Sequence, residues 1–294
     1  MLCLHSAAFA QAETDTASFQ AEGLPSLTFS QAKYSESLPD GQNSLGFRAA
    51  FLGSTTYSKG RTLFKNSLDV AYAKSKEGGA TMFTKNEDRL SFTSSLGYEI
   101  TPSSPLHWAA QVDLKTQFDC GYNENNTLIS QFFAPAYITV SLGVRYQSNF
   151  GFSAMLSPIS GRFTVVSDTI FCKYIDVDLA ENPRNFRTQF GAHALLAYDK
   201  SFNKYVGVKS TLDLFSCYHQ NPKNIDVDWI VSAHFSLNSW FSIVFFNRVT
   251  YRDLDRYHVM VKDINGVETL ETRGPKVQWQ ESLNIGLAYK FATK

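Results

Sequence analysis

Fifteen residues near the C-terminus, Val277 to Phe291, constrain the fold more than any other stretch. From Leu283 onward every second residue is apolar or aromatic: Leu283, Ile285, Leu287, Tyr289 and Phe291. Between them stand Asn284, Gly286, Ala288 and Lys290. Successive side chains of a strand point to opposite faces, so this segment predicts a strand with one oily and one polar surface. Its length and its aromatic ending match the closing strand of a transmembrane barrel, whose aromatic residues sit at the membrane interface.

Twelve stretches carry the same alternation or a weaker form of it. They run from Leu27 to Ser35, Ser44 to Thr56, Leu63 to Ala73, Leu90 to Ile100, Leu106 to Phe118, and Tyr137 to Gln147. A seventh starts at Phe150, and others cover Thr188 to Tyr198, Val206 to Tyr218, Val227 to Leu237, Phe241 to Tyr251 and the C-terminal stretch. An even strand number is the rule for bacterial barrels. With 24 Phe, 14 Tyr and only 4 Met, the composition favours strands over helices. No run of about 18 apolar residues is present, which excludes a helical span but not a barrel.

The connections alternate in length, except for moderate links before the second and tenth strands. Short links fall at Tyr57 to Gly60, Thr101 to Pro105, Gln147 to Asn149, Asp199 to Lys204 and Leu237 to Trp240. Longer ones fall at about Ser75 to Glu87, Asp119 to Pro135, Ser157 to Asn185 and Arg252 to Lys276. Outer-membrane barrels sort their connections this way, with short turns on the periplasmic side and long loops outside. Tyr98, Tyr146, Tyr198, Trp240, Tyr289 and Phe291 lie beside the short links or the C-terminus, where a periplasmic aromatic girdle belongs. The predicted fold is therefore an all-β, transmembrane, antiparallel up-and-down barrel of about 12 strands, with both termini periplasmic in a Gram-negative outer membrane.

Residues 1–10 read as the back half of a signal peptide: the basic segment is missing and Ala8-Phe9-Ala10 resembles a cleavage site. Residues 11–24 read as a flexible leader, and 25–294 as a single barrel domain. Charge is balanced at 27 basic against 27 acidic residues, which argues against nucleic acid as a partner and leaves outer-membrane lipid as the expected surroundings.

Strand parity sends Lys65, Asp69, Glu99, Asp113, Lys115, Arg145, Lys209, Asp213 and Arg248 into the lumen. A lumen of this width is small enough for long charged side chains to meet across it. Two functions fit mixed signs: a hydrogen-bonded plug in a structural or complex-associated barrel, or a wet, porin-like channel for small solutes. A hydrolase is the third reading. His107, His193, His219 and His234 all point inward by parity, His258 falls in a loop, and His219 with Asp213 is the one candidate pair. No metal or cofactor motif stands out, because the oxygen-rich loop Asp119 to Asn126 lacks the glycine and terminal Glu of a calcium loop. Cys120 and Cys172 fall in outer loops and are candidates for a disulfide; Cys217 sits within a strand. The loop 157–185 is unusually apolar and predicts an extended hairpin that could meet a protein partner.

Several stretches resemble a family of Bacteroidetes proteins, domain of unknown function 3078. They are Leu68-Asp69-Val70-Ala71-Tyr72, Val112 to Phe118, Ala134-Pro135-Ala136-Tyr137, Leu156-Ser157-Pro158-Ile159-Ser160-Gly161, Leu212 to Ser216 and Asn221 to Val227. The resemblance covers about residues 25 to 291 and departs at Tyr34-Ser35-Glu36-Ser37, where the family usually carries an Asn-Trp pair. It implies an outer-membrane barrel with a removed signal, and no activity or catalytic residue.

Overall fold

A computed structural model describes residues 17–32, 44–78, 80, 82–122, 128–167, 185–203, 205–219, 221–238, 240–253, 257–262, 268–289 and 291–293. The described residues are β-strand and connection throughout. In chain order the strands are β1 (Ser18–Ala32), β2 (Ser44–Lys59), β3 (Thr62–Glu77), β4 (Thr84–Glu99), β5 (Leu106–Thr116), β6 (Gly121–Tyr122), β7 (Leu128–Ser130), β8 (Ala136–Gln147) and β9 (Phe152–Val165). They continue as β10 (Phe186–Ser201), β11 (Val206–Cys217), β12 (Ile225–Ser236), β13 (Phe241–Tyr251), β14 (Tyr257–Lys262), β15 (Glu268–Arg273), β16 (Gln278–Ala288) and β17 (Phe291–Ala292).

Each long strand pairs antiparallel with its neighbour in sequence, in the order β1-β2-β3-β4-β5-β8-β9-β10-β11-β12-β13-β16, and β16 returns to β1. The result is a closed 12-strand up-and-down barrel. Two small hairpins, β6-β7 and β14-β15, stand outside this sheet, within the connections that follow β5 and β13.

The seam is made in two steps. Ser26, Leu27 and Thr28 of β1 face Ala288, Leu287 and Gly286 of β16, while Glu22 and Gly23 face Ala292 and Phe291 of β17. Between the two steps the Pro25 carbonyl accepts the Tyr289 amide at 3.2 Å. Proline offers no N–H to a ladder, and here its missing donor falls on the side where pairing is interrupted.

Side-chain polarity is inverted relative to a soluble sandwich. Leu96, Leu142 and Ile285 are 49, 50 and 49% exposed on the outside, whereas Ser141 and Gln111 are 0 and 2% exposed inside. The apolar cluster of buried residues is confined, among the described residues, to Ala134 and Val166 with Leu128 against them, in the connections at one barrel end. Short turns, such as Gly60-Arg61 between β2 and β3, gather at the other end. Tyr98, Tyr146, Trp240, Tyr289 and Phe291 stand exposed beside those turns.

Several boundaries differ from expectation, among them the start of β4 at Thr84 rather than Leu90. β1 begins at Ser18, inside the stretch 11–24 read as a leader; its start is polar, but it pairs with β2 from Ser18↔Ser58 onward. β9 runs on to Val165, through the first part of the segment 157–185 read as a connection. The alternation breaks there because β9 carries a bulge: Leu142 faces Ile159 while Val144 faces Leu156, so β9 has two residues where β8 has one. Pro158 and Ile159 both point outward as a consequence. Gly143 opposite the bulge leaves no room for a side chain, since a Cβ there would lie 2.0 Å from the Leu156 carbonyl oxygen. The proposed hairpin beyond residue 167, and Cys172, lie outside the described residues.

Candidate functional site

Closing an alternating sheet with its apolar face outward leaves the polar face lining the lumen, where polar groups away from water must find one another. The lumen contains a chain of hydrogen bonds running from strand to strand. Ser160 Oγ on β9 donates to Ser141 Oγ on β8 at 3.1 Å, and Ser141 Oγ lies 2.8 Å from His193 Nδ1 on β10. His193 Nε2 lies 3.1 Å from Asp213 Oδ1 on β11. The Lys115 ammonium on β5 then donates to Asp213 at 2.8 Å and to Asp228 on β12 at 2.9 Å. Asp228 in turn receives Arg248 of β13 through both carboxylate oxygens, at 2.8 and 2.9 Å.

A second chain lies across β2, β4 and β3. Arg48 donates to Glu87 at 2.7 Å, Arg89 donates to Glu87 at 2.8 Å, and Arg89 grips Asp69 with two bonds of 3.1 Å. The Arg89 guanidinium also sits 4.6 Å from the Phe246 ring centroid on β13, with four strands between them around the sheet. Arg162 of β9 reaches Asp226 of β12 and covers the buried Phe215 ring at 3.9 Å. Opposite charges brought this close inside a protein stabilise only when further hydrogen bonds satisfy them, and here the carboxylates of Asp213 and Asp228 each have at least two partners.

These groups divide the lumen. A vestibule of about 520 Å³ lies toward the long connections, lined by Asp88, Lys115, Gln117, Tyr137, Arg248 and Gln280 among others. An inner chamber of about 290 Å³ lies beyond, where Leu24, Leu52, Leu195, Ile230, Val244 and Phe246 share the wall with charged groups such as Arg48, Asp69 and Asp213. Arg89, Ser91 and Lys115 line both. The inner chamber shares Leu24, Leu52, Lys209 and Val244 with a smaller space of about 120 Å³ that reaches Gly207 and His234 near the short turns.

Of the nine residues sent inward by parity, four join these two chains and two form a third cluster. Asp69, Lys115, Asp213 and Arg248 do so as above. Arg145 donates to Ser95 at 2.9 Å and Gln111 at 2.6 Å, and Asp113 accepts from Thr93 at 2.7 Å and Gln111 at 2.8 Å. Lys65 makes a separate contact, donating to Gln147 at 2.9 Å. Lys209 lines the inner chamber and, among the described residues, forms no ion pair. Glu99 departs from the set: at the end of β4 it accepts the Ser103 amide at 3.0 Å and shapes a turn.

Residues that sequence reasoning missed include Arg48, Glu87, Arg89, Arg162, Asp226 and Asp228. The pairing of Asp213 with His219 is corrected: β11 ends at Cys217, so His219 lies exposed in the connection, and Asp213 meets His193 instead. Ser141, His193 and Asp213 have the residue types of a nucleophilic trio. Ser141 is wholly buried, however, and lines none of the described cavities. Cys120, half-buried, follows β5, and Cys217 is a buried thiol at the end of β11.

Residues 29–122 match the family model "Protein of unknown function (DUF3078)". That match runs from β1 into β6. No curated relative matches the sequence. Among solved structures, a chain described as "Asymmetric conductivity of engineered proteins" aligns with 94% of this chain and 100% of its own length, at 8% identity and a TM-score of 0.23. A likeness that low carries no argument about fold or function.

Proposed function

We propose that this barrel spans a bacterial outer membrane, with its short turns and both termini on the periplasmic side, and serves without catalysis as a barrel closed by its own ion pairs. The observation that carries the reading is the inverted polarity: large apolar side chains such as Leu96 and Ile285 are exposed around the outside, while Arg145, Asp113 and Gln111 are buried within. Lipid satisfies the first set, and closure of the sheet confines unpaired backbone edge to the short β1–β16 seam. The plugged interior rests on Lys115, which spans from β5 to β11 and β12.

A small-solute channel is the second reading, favoured by one observation: vestibule and inner chamber meet at Arg89, Ser91 and Lys115, so movement of those side chains would join them. Planar-bilayer recording of the refolded protein separates the two. Silence across a range of voltages is expected of the plugged barrel, and steady open current would transfer the assignment to the channel. A protein that stayed monomeric and dissolved without detergent would remove both.

A further inference from the structure

The inner chamber does not suit the rest of the lumen. Leu24, Leu52, Leu195, Ile230, Val244 and Phe246 gather on the wall of this chamber of about 290 Å³, which charged groups such as Arg48, Asp69, Arg89 and Lys115 also line. An apolar cavity gives water few partners and is disposed to take an apolar body. Two charged groups from neighbouring strands stand on the same wall. Asp199 of β10 and Lys209 of β11 are directly opposed in the ladder, and both line the chamber and its smaller extension. Directly opposed residues place their Cβ atoms about 5 Å apart. Among the described residues neither forms an ion pair within 4 Å, although the Lys65 ammonium feels the Asp199 charge, while most inward charges nearer the vestibule are paired.

The geometry points to an amphipathic zwitterion as the occupant: a free amino acid with a large apolar side chain. Its carboxylate would meet the Lys209 ammonium, its ammonium would meet the Asp199 carboxylate, and its side chain would lie against Leu52, Ile230 and Val244. One anion and one cation, adjacent and outside the ion pairs of the described residues, beside the apolar part of the chamber wall, complement a ligand carrying the same three features in the same arrangement. The inference concerns the interior alone and holds whether or not the lumen conducts, so binding and conductance fail independently.

The test is calorimetric titration of the detergent-solubilised, folded full-length chain with L-phenylalanine, phenethylamine and 3-phenylpropanoate, the last two lacking the carboxylate and the ammonium respectively. Phenylalanine should bind at least about tenfold more tightly than either analogue, as one charge-assisted contact supplies. Lys209→Gln should reduce phenylalanine affinity about tenfold and leave phenethylamine unchanged, and Asp199→Asn should reduce it similarly and leave 3-phenylpropanoate unchanged. Ala50→Trp, which fills the chamber from β2, should abolish binding while the barrel keeps its folded mobility on unheated gels. The assignment is overturned by no saturable binding, by equal affinity for the three probes, or by undiminished binding to a folded Ala50→Trp barrel. Lys209→Gln weakening phenethylamine as much as phenylalanine would also overturn it.

Discussion

Lys115 on β5 lies 2.8 Å from Asp213 on β11, although β8, β9 and β10 stand between them in the sheet. The contact therefore crosses the lumen. Its ammonium also reaches Asp228 at 2.9 Å, so one side chain ties the two halves of the wall together. Lys115→Met leaves both carboxylates with reduced compensation: Asp213 keeps His193, and Asp228 keeps Arg248. Removing one partner of an enclosed charge pair is expected to lower unfolding stability by on the order of 2 kcal/mol in this partly hydrated setting. Urea titration in lipid vesicles measures it. The same variant should show current in planar bilayers under conditions where silence is expected of the wild type, because Lys115 lines both chambers.

The bulge of β9 predicts a glycine that cannot be replaced. At Gly143 a Cβ would stand 2.0 Å from the Leu156 carbonyl oxygen and 2.7 Å from Ser157 Cα, both backbone atoms in a paired strand. Gly143→Ala should cost about 3 kcal/mol or abolish folding, a magnitude reached only when packing is forced apart. At Gly161 the nearest contact is the Phe163 ring at 3.3 Å, which can turn aside, so Gly161→Ala should stay within about 1 kcal/mol. Refolding yield and urea midpoint for the two variants decide the comparison.

Local pattern made the strands legible, and barrel geometry concealed the partners. Alternation in Leu106 to Phe118 sufficed to send Asp113 and Lys115 inward, where they are found. The same parity in β2 implied Arg48, and in β12 the outward Trp229 implied Asp228, but neither gave a partner. Arg89 and Glu87 were missed because β4 begins at Thr84, six residues before its first apolar outward position. Arg162 was missed because Pro158 and Ile159 break the period, and a bulge looks in sequence like the end of a strand. Which charges meet across the lumen depends on the stagger of the closed sheet, a long-range quantity that no local window contains.

One ionisable group in a connection gives a pH prediction. Asp119 accepts from Tyr72 at 2.6 Å and faces Lys74 at 3.0 Å, and these contacts, Tyr72 first, hold its carboxyl down at about 2. A depressed folded value contributes stability that is fully present above the unfolded value near 3.8 and disappears as pH falls through about 2. The Tyr72–Asp119–Lys74 contact should accordingly persist at pH 4 and release near pH 2. Carboxyl carbon shifts of Asp119, followed by nuclear magnetic resonance in detergent, report it. Tyr72→Phe removes the principal cause and should move the titration upward toward 3.8. A titration unmoved by that change would show that Tyr72 does not set it.

The lipid-facing assignment makes a prediction that depends on depth. Leu142 is 50% exposed, midway along β8 and opposite Ile159, whereas Tyr146 on the same outward face stands one residue before the end of the strand, beside a short turn. In a bilayer an arginine at mid-depth costs about 2–4 kcal/mol, falling to roughly 0–1 kcal/mol near the interface. Leu142→Arg should therefore destabilise the reconstituted barrel by about 3 kcal/mol and Tyr146→Arg by no more than about 1 kcal/mol. On a surface facing water both would stay within about 0.5 kcal/mol, since exposed substitutions remote from any special feature change little. Equilibrium unfolding of both variants in the same vesicles distinguishes the two environments, and equal, small effects would contradict the membrane-spanning reading.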